Sequence, residues 1–317
     1  MPDDAYFQRA LELAERGRGK TGDHPLVGAV VVAGGEVVGE GWYEYDLVRH
    51  AEIAALEQAG ARARGATLYV TLEPCSHHGR TPPCADAVVA AGIARAVVGA
   101  RDPNPLVDGR GLARLRSAGV EVELLDDLAA RRQNEAWRTW KRLGRPFVTY
   151  KAAVTLDSRV VVPGRRWLSG EESRRRVHAL RAASDAVAVG MGTVRADAPR
   201  LDARGVGAVR QPRRLAFGHG PLPPGSELEL RSGPLDGELR ALAAEGVQAL
   251  LLEGGPTLAT AFLEAGLVDK LLLFVAPLLA GSGPHVLGPL AAPRELLHLR
   301  AEPSGEDVLL EAYLHEP

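Results

Sequence analysis

Three short segments in the first half of the chain carry residue types suited to metal-assisted hydrolysis: His50-Ala51-Glu52, Pro74-Cys75 and Cys84. Zinc takes imidazole nitrogen and thiolate sulfur, and a catalytic zinc keeps three protein ligands and leaves one position to water. His50, Cys75 and Cys84 meet that count. Zinc lowers the pKa of its water from about 15.7 to about 7, which makes hydroxide available at neutral pH. Hydroxide can attack a ring carbon that bears an exocyclic amine. Glu52, which is not a ligand, would take the proton and hand it to the ring nitrogen and the leaving ammonia. H-x-E followed by P-C-x-x-C is a zinc-deaminase pattern, although here eight residues, Ser76 to Pro83, separate the two cysteines. The bland readings are surface decoration at a helix start and a structural zinc closed by a fourth ligand, His77 or His78.

In the second half, Leu250 to Thr257 describes a strand that enters a Gly254-Gly255 turn opening a helix. Backbone N–H groups at such a turn point at whatever sits there and suit a phosphate. The same turn is also an ordinary connection. It is not G-x-G-x-x-G, so no Rossmann site follows from it.

The elements that must position these residues read as α/β. Asp3 or Asp4 caps a helix to about Arg16, with Leu11 and Ala14 on its buried face. Val27 to Val32 and Glu36 to Gly41 form a hairpin across Gly34-Gly35. His50 to Gln58 is a helix, Thr67 to Leu72 a strand, Cys84 to Ala91 a helix and Ala94 to Gly99 a strand. His50 and Glu52 therefore start one helix and Cys84 another, where a helix N-terminus favours thiolate. A helix from Leu128 to Leu143 ends in Gly144-Arg145-Pro146, the best boundary signal in the chain. Two domains are expected, residues 1–144 and 145–317. The second repeats the alternation: strands at Phe147 to Val154, Ala186 to Val189, Arg213 to Phe217, Ala249 to Glu253, Leu271 to Val275 and Val308 to Leu314. Helices fall at Glu171 to Ala182, Glu238 to Glu245 and Thr257 to Ala265, and Gly218 to Gly237 reads as loop.

Length alone favours two domains over one. With 46% hydrophobic and 25% charged residues the chain is an ordinary globular one, and a net charge of −2 offers no footprint for nucleic acid or a membrane surface. Met1-Pro2-Asp3-Asp4 is acidic where a secretory leader is basic, and Leu271 to Ala280 is broken by Pro277 and too short to span a bilayer. The expectation is a cytoplasmic protein in which Cys75 and Cys84 serve a metal rather than a disulfide.

Cys75-Ser76-His77-His78-Gly79-Arg80-Thr81-Pro82-Pro83-Cys84 resembles the deaminase half of the bifunctional riboflavin-biosynthesis deaminase/reductases, within the cytidine-deaminase type. Pro25 to Ala29, Thr71 to Pro74, Asp102 to Pro105 and Gly109 to Gly111 agree with it. The resemblance implies a cytidine-deaminase-like three-layer α/β/α domain acting on 2,5-diamino-6-(5-phosphoribosylamino)pyrimidin-4(3H)-one at the pyrimidine C2. Arg80 and Thr81 would contact phosphate or ring, and His24 stands where the family usually has a substrate-contacting Asn.

Lys151 to Arg159, Trp167 to Gly170, Leu180 to Ala186, Gly192 to Val194, Asp197, Glu253 to Pro256 and Leu267 to Asp269 look like the family's reductase half. That half is similar in fold to dihydrofolate reductase and uses NADPH to reduce ribosyl to ribityl at C1′. By resemblance, Trp167, Thr193, Asp197 and the turn with Gly255, Pro256 and Thr257 would meet NADPH. Arg181, Leu201, Arg204 and Glu253 would meet substrate, the arginines gripping its 5′-phosphate with paired hydrogen bonds. Departures from the family pattern are Arg165 for a substrate-binding Ser, Ser158 for Gly, Ala198 for Asp, Gly218 near a usual Asp, and a shortened stretch from 218 to 237. They admit a second reading, a deaminase whose reductase-like half only binds or dimerises. A nucleic-acid base deaminase fits poorly with 5% aromatic residues and the negative charge. The family also implies a homo-oligomer, a dimer or tetramer.

Overall fold

Alternation along the strands decides the layering. In the computed structural model, which describes residues 2–79 and 81–317, Ala29 and Val31 of β1 (Gly28–Ala33) face one core while Val30 and Val32 face the other. β3 (Thr67–Leu72) and β4 (Arg95–Ala100) split the same way, with Leu68, Val70, Ala96 and Val98 on one side and Tyr69 and Val97 on the other. With β2 (Glu36–Trp42) and β5 (Glu121–Leu124) they form a five-stranded sheet in the order β2-β1-β3-β4-β5. β1 is antiparallel to both neighbours, while β3-β4 and β4-β5 are parallel. α1 (Pro2–Glu15) and α5 (Leu128–Gln133) cover one face. α2 (Ala51–Ala59), α3 (Cys84–Ala90) and α4 (Arg110–Ser117) cover the other. Two cores on opposite faces of one sheet make the three-layer α/β/α unit expected.

Residues separate into two compact units, Met1–Leu143 and Gly144–Pro317. The second unit is built on an eight-stranded sheet: β6 (Phe147–Thr155), β7 (Ala186–Gly190), β8 (Arg213–Phe217), β9 (Glu229–Arg231), β10 (Ala249–Leu252), β11 (Lys270–Ala276), β12 (Leu297–Ser304) and β13 (Asp307–Tyr313). Its order is β12-β13-β11-β6-β10-β7-β8-β9. Strands β11 to β9 in that order run parallel, and β13 and β12 are antiparallel additions at one edge. α9 (Leu235–Ala244) and α10 (Pro256–Glu264) pack on the face of Val148, Tyr150, Ala188, Leu215 and Leu252. α8 (Met191–Asp197) and Leu180 of α7 (Glu171–Ala183) lie on the face of Val187, Val189 and Leu251. No described helix is long and apolar enough to cross a membrane.

Three expectations change. The helix read as Leu128 to Leu143 is two, α5 and α6 (Glu135–Leu143), parted at Asn134. The stretch 218–237, read as loop, contains β9 and the start of α9. α4, β5, α8 and β12 were not foreseen at all.

Candidate active sites

His50 is the N-cap of α2 and Glu52 lies in its first turn. α2 can lie directly on β2 because Gly39 and Gly41 have no side chain. A Cβ at those positions would stand 2.0 Å from the Ala55 carbonyl oxygen and 2.2 Å from that of Ala51. Ala51, Ala55 and Ala59 repeat every fourth residue along the contact, so a small-residue face meets a glycine strand. The result fixes the height of His50 and Glu52 above the sheet.

Cys75 follows β3 and Cys84 begins α3. Their sulfurs and His50 Nδ1 lie within 4.8 Å of one another. Cys75 Sγ is 3.8 Å and Cys84 Sγ 3.2 Å from that nitrogen. A tetrahedral zinc with bonds of about 2.3 Å to sulfur and about 2.0 Å to nitrogen sets such ligands roughly 3.6 Å apart, so the three atoms have the spacing the ion requires. The Cys84 N–H donates to Cys75 Sγ at 3.3 Å, and Thr81 Oγ1 lies 3.4 Å from His50 Nε2. The Thr81 hydroxyl is thus turned toward the imidazole, where a hydrogen-bond partner orients a ligand. Arg80 lies outside the described residues.

Charge crowding also fits a cation. Glu52 is 3% exposed, and burial followed by the nearby Cys75 charge raises its carboxyl to about 7. Cys75 is lowered to about 4, chiefly by its hydrogen bond with Cys84 and then by His50. Cys84 moves the other way, raised by its hydrogen bond with Cys75, by burial and by Glu52. The hydrogen bond with Cys75 and burial set the direction at Cys84, and the start of a seven-residue helix does not reverse it. Three acidic groups around one imidazole call for positive charge in their midst. The side chain of His24, at the Asn position of the family, stacks near Tyr43 at 5.0 Å and Tyr45 at 6.0 Å, and Tyr43 meets the His50 ring edge-on at 5.6 Å.

In the second unit, Glu253 follows β10 and its carboxylate gathers the cations of two other elements. Lys151 Nζ of β6 lies 3.2 Å away, and Arg181 of α7 donates from Nε and Nη2 at 2.6 and 3.0 Å. Arg181 Nη1 donates to the Asp202 carbonyl at 3.1 Å. The Arg181 fork, expected to grip phosphate, is thus already engaged by Glu253. Lys151 received no role from the sequence. The signal was present, since a lysine inside the otherwise apolar strand Phe147 to Val154 is costly to bury without a partner.

Thr193 stands in the first turn of α8, its Oγ1 3.5 Å from where a Cβ on Gly255 would be, so the two helix starts with Thr193, Gly255, Pro256 and Thr257 share one corner. Asp197 ends α8. Leu201 is buried at φ 53°, and Arg204 is half exposed and paired with Asp202. Trp167 is 54% exposed, with the Arg166 and Arg174 guanidiniums 5.3 and 5.6 Å from its ring centre. Of the departures, Ser158 and Ala198 both sit at positive φ, 63° and 43°. The left-handed backbone at Ser158 favours glycine over a residue with a side chain.

Residues 1–100 match the cytidine and deoxycytidylate deaminase zinc-binding region, and residues 146–310 match the RibD C-terminal domain. The riboflavin biosynthesis protein RibD of Aquifex aeolicus is 40% identical over 89% of this chain and 88% of its own, and that of Escherichia coli 39% over 89% of each. Among solved structures, the diaminohydroxyphosphoribosylaminopyrimidine deaminase/5-amino-6-(5-phosphoribosylamino)uracil reductase of Thermotoga maritima superposes with a TM-score of 0.84 at 32% identity, covering 98% of both chains. RibD of Acinetobacter baumannii does so with 0.82 at 35% identity and the same coverage. The chain belongs to the bifunctional riboflavin-biosynthesis deaminase/reductase family and is an enzyme with a zinc-dependent deaminase half and an NADPH-dependent reductase half.

Proposed function

We propose that the first unit deaminates 2,5-diamino-6-(5-phosphoribosylamino)pyrimidin-4(3H)-one at C2 and that the second reduces the ribosyl group of the product to ribityl. The observation that carries the reading is the meeting of His50 Nδ1, Cys75 Sγ and Cys84 Sγ within 4.8 Å beside a buried Glu52. These three side chains would hold zinc, which when bound would supply an acidified water for the deamination. Glu52 moves the protons. Its carboxyl is buried beside the ligand atoms, where a group that first takes a proton and then releases it to ammonia must stand. Thr81 orients the imidazole through Nε2.

In the second unit NADPH, when bound, would supply the hydride for C1′. Trp167, Thr193, Asp197 and the Gly255–Pro256–Thr257 turn bind it, and the shared corner of Thr193 and Gly255 supports this placement. Leu201 and Arg204 contact the substrate. Arg181 positions Glu253, and Glu253 in turn fixes the Lys151 ammonium, whose remaining N–H groups are free to reach the sugar and provide the proton that accompanies the hydride. The two cysteines serving as metal ligands accord with a reducing cytoplasm. Leu297 and Leu299 on β12, 36% and 65% exposed, give the second unit an apolar edge through which it forms a dimer or tetramer.

The test is paired. Ammonia release from the diaminopyrimidine and NADPH oxidation with the deaminated product are measured on the same preparation, with Glu52→Gln alongside. Wild type performing both while the variant keeps its zinc and loses only ammonia release supports the assignment. Ammonia release undiminished in the variant would overturn the role of Glu52.

A further inference from the structure

α4 has no cap of its own. Its N-cap residue is Gly109, at φ 85°, with no side chain to accept from the open N–H groups of the first turn. Those groups are satisfied from 36 to 39 residues away along the chain. Glu73 Oε1 accepts from Gly111 N at 2.9 Å and Leu112 N at 3.2 Å, and Oε2 accepts from Gly109 N at 3.0 Å and Asp102 N at 3.4 Å. Gly111 and Leu112 are the second and third residues of the helix, the two positions an N-cap side chain would serve. The carboxylate is 3% exposed, so its charge is compensated by backbone dipoles of a buried helix start rather than by water.

Glu73 is also the residue from which the ligand loop departs. Its own N–H is fixed to the Ala100 carbonyl at 2.9 Å. Pro74 follows, and a Cβ on Gly111 would stand 2.0 Å from the Pro74 carbonyl oxygen, so the start of α4 lies directly against the backbone that leads into Cys75. Beyond it, the Cys75 carbonyl accepts from Ala85 N at 3.1 Å and Cys75 Sγ accepts from Cys84 N. The segment from 73 to 75 is thereby clamped between two helix starts, α4 through a carboxylate and α3 through a carbonyl and a thiolate.

We propose that Glu73 is a positioning residue of the deaminase, holding the Cys75 backbone at the height at which its sulfur meets Cys84 and His50. The inference rests on reading those three side chains as the metal's ligands. Without the Glu73 carboxylate, three buried N–H groups and the part-buried one of Gly109 lose their acceptor, and the 102–112 segment no longer pins Pro74. The three ligands would remain in the sequence, but Cys75 would have to be brought into place by the metal itself.

The probe is Co2+, loaded into the full chain in place of zinc, in wild type, Glu73→Ala, Glu73→Gln and Asp127→Ala. Asp127 caps α5 through Oδ1 and Ala130 N at 2.8 Å, in the same unit but away from the ligand loop, so its variant reports what losing a cap does by itself. The readouts are the cobalt–thiolate absorption spectrum and the rate at which a chelator removes the ion, with NADPH oxidation by the second unit as a check that the chain is intact. The expected result is an altered spectrum and roughly tenfold faster release from Glu73→Ala, the lower end of what supporting residues contribute to metal sites. Glu73→Gln, which keeps one acceptor oxygen, should lie between. Asp127→Ala should keep the wild-type spectrum and release rate at comparable thermal destabilisation. If Glu73→Ala fails to fold, Glu73→Gln decides by the same two readouts. Release from the Glu73 variants no faster than from Asp127→Ala overturns the proposal. A wild-type protein without a cobalt–thiolate band would instead overturn the ligand set, and the positioning role with it.

Discussion

Glu253 offers a test whose sign, size and pH window all come from the structure. Its side chain is 9% exposed, and those of its partners Lys151 and Arg181 are 13% and 14% exposed. Burial by itself pushes the carboxyl up, yet Lys151 and then Arg181 outweigh it and hold it at about 2, against an ordinary 4.5. A folded pKa below the unfolded one means stability that is fully present above the unfolded value and lost as pH falls through the folded one. At about 1.4 kcal/mol per pKa unit, ionised Glu253 contributes roughly 3 kcal/mol to the second unit near neutral pH. By the same relation about 1 kcal/mol of this is gone by about pH 4 and about 2 kcal/mol by about pH 3. Glu253→Gln keeps the shape and removes the charge, leaving two buried cations without their partner, a loss of the same order.

Hydrogen exchange of peptides from β6 and β10 across a urea series reads the stability of this unit without interference from the other. The expected gap between wild type and Glu253→Gln is roughly 3 kcal/mol at neutral pH, narrowing steadily below about pH 5. A gap that stays constant between neutral pH and about pH 4 would refute the reasoning, because the lost stability would then have a source other than the carboxylate's charge. NADPH oxidation should be lost in the variant with ammonia release intact.

Glu52→Gln should retain zinc and lose ammonia release by about 10²- to 10⁴-fold, the usual worth of a general acid–base, as read by metal analysis alongside the assay. Removing zinc with a chelator should abolish ammonia release and leave NADPH oxidation at the wild-type rate. Ser158→Gly and Ala198→Gly should each stabilise the second unit by roughly 1 kcal/mol, since both residues hold a left-handed backbone that costs a side-chain-bearing residue about that much. A thermal melt that fails to rise would show that local contacts repay the strain. Gly41→Ala should damage the deaminase alone, because the added methyl meets the Ala51 carbonyl oxygen at 2.2 Å and α2 must lift with His50 and Glu52 on it; loss of ammonia release with NADPH oxidation intact is the check.

What the sequence made legible follows from how local each signal is. Cys75 and Cys84 are the chain's two cysteines, each at the edge of a regular element, and His50 and Glu52 share one helix start, so their convergence could be anticipated. Strands buried on both faces read well from their apolar runs. The break between α5 and α6 did not, because Asn134 is taken out of the helix by Leu26, whose N–H and carbonyl it meets at 2.8 Å each. α4 escaped notice for a related reason: its cap, Glu73, lies on β3's far end rather than beside it. β9 is a three-residue edge held by Arg213 and Arg231 against Glu229 and Glu245, interactions that a stretch rich in Pro and Gly does not announce.

The departures in the second half weigh differently once their places are known. Read as letters, Ser158 and Ala198 suggested a reductase losing its function. In the fold both are turn positions with positive φ, so the change costs backbone strain, and no partner of Glu253 is among them. The corner made by Lys151, Arg181 and Glu253 comes from a strand, a helix and a strand end, and each member is buried enough that losing one would strand the others at several kcal/mol. A chain relieved of the need to reduce anything would gain stability by replacing such a cluster with apolar side chains of similar size. A strand, a helix and a strand end bring these three charges together, while Ser158 and Ala198 cost only backbone strain, and that is the physical argument that the second half is built for chemistry as well as for support.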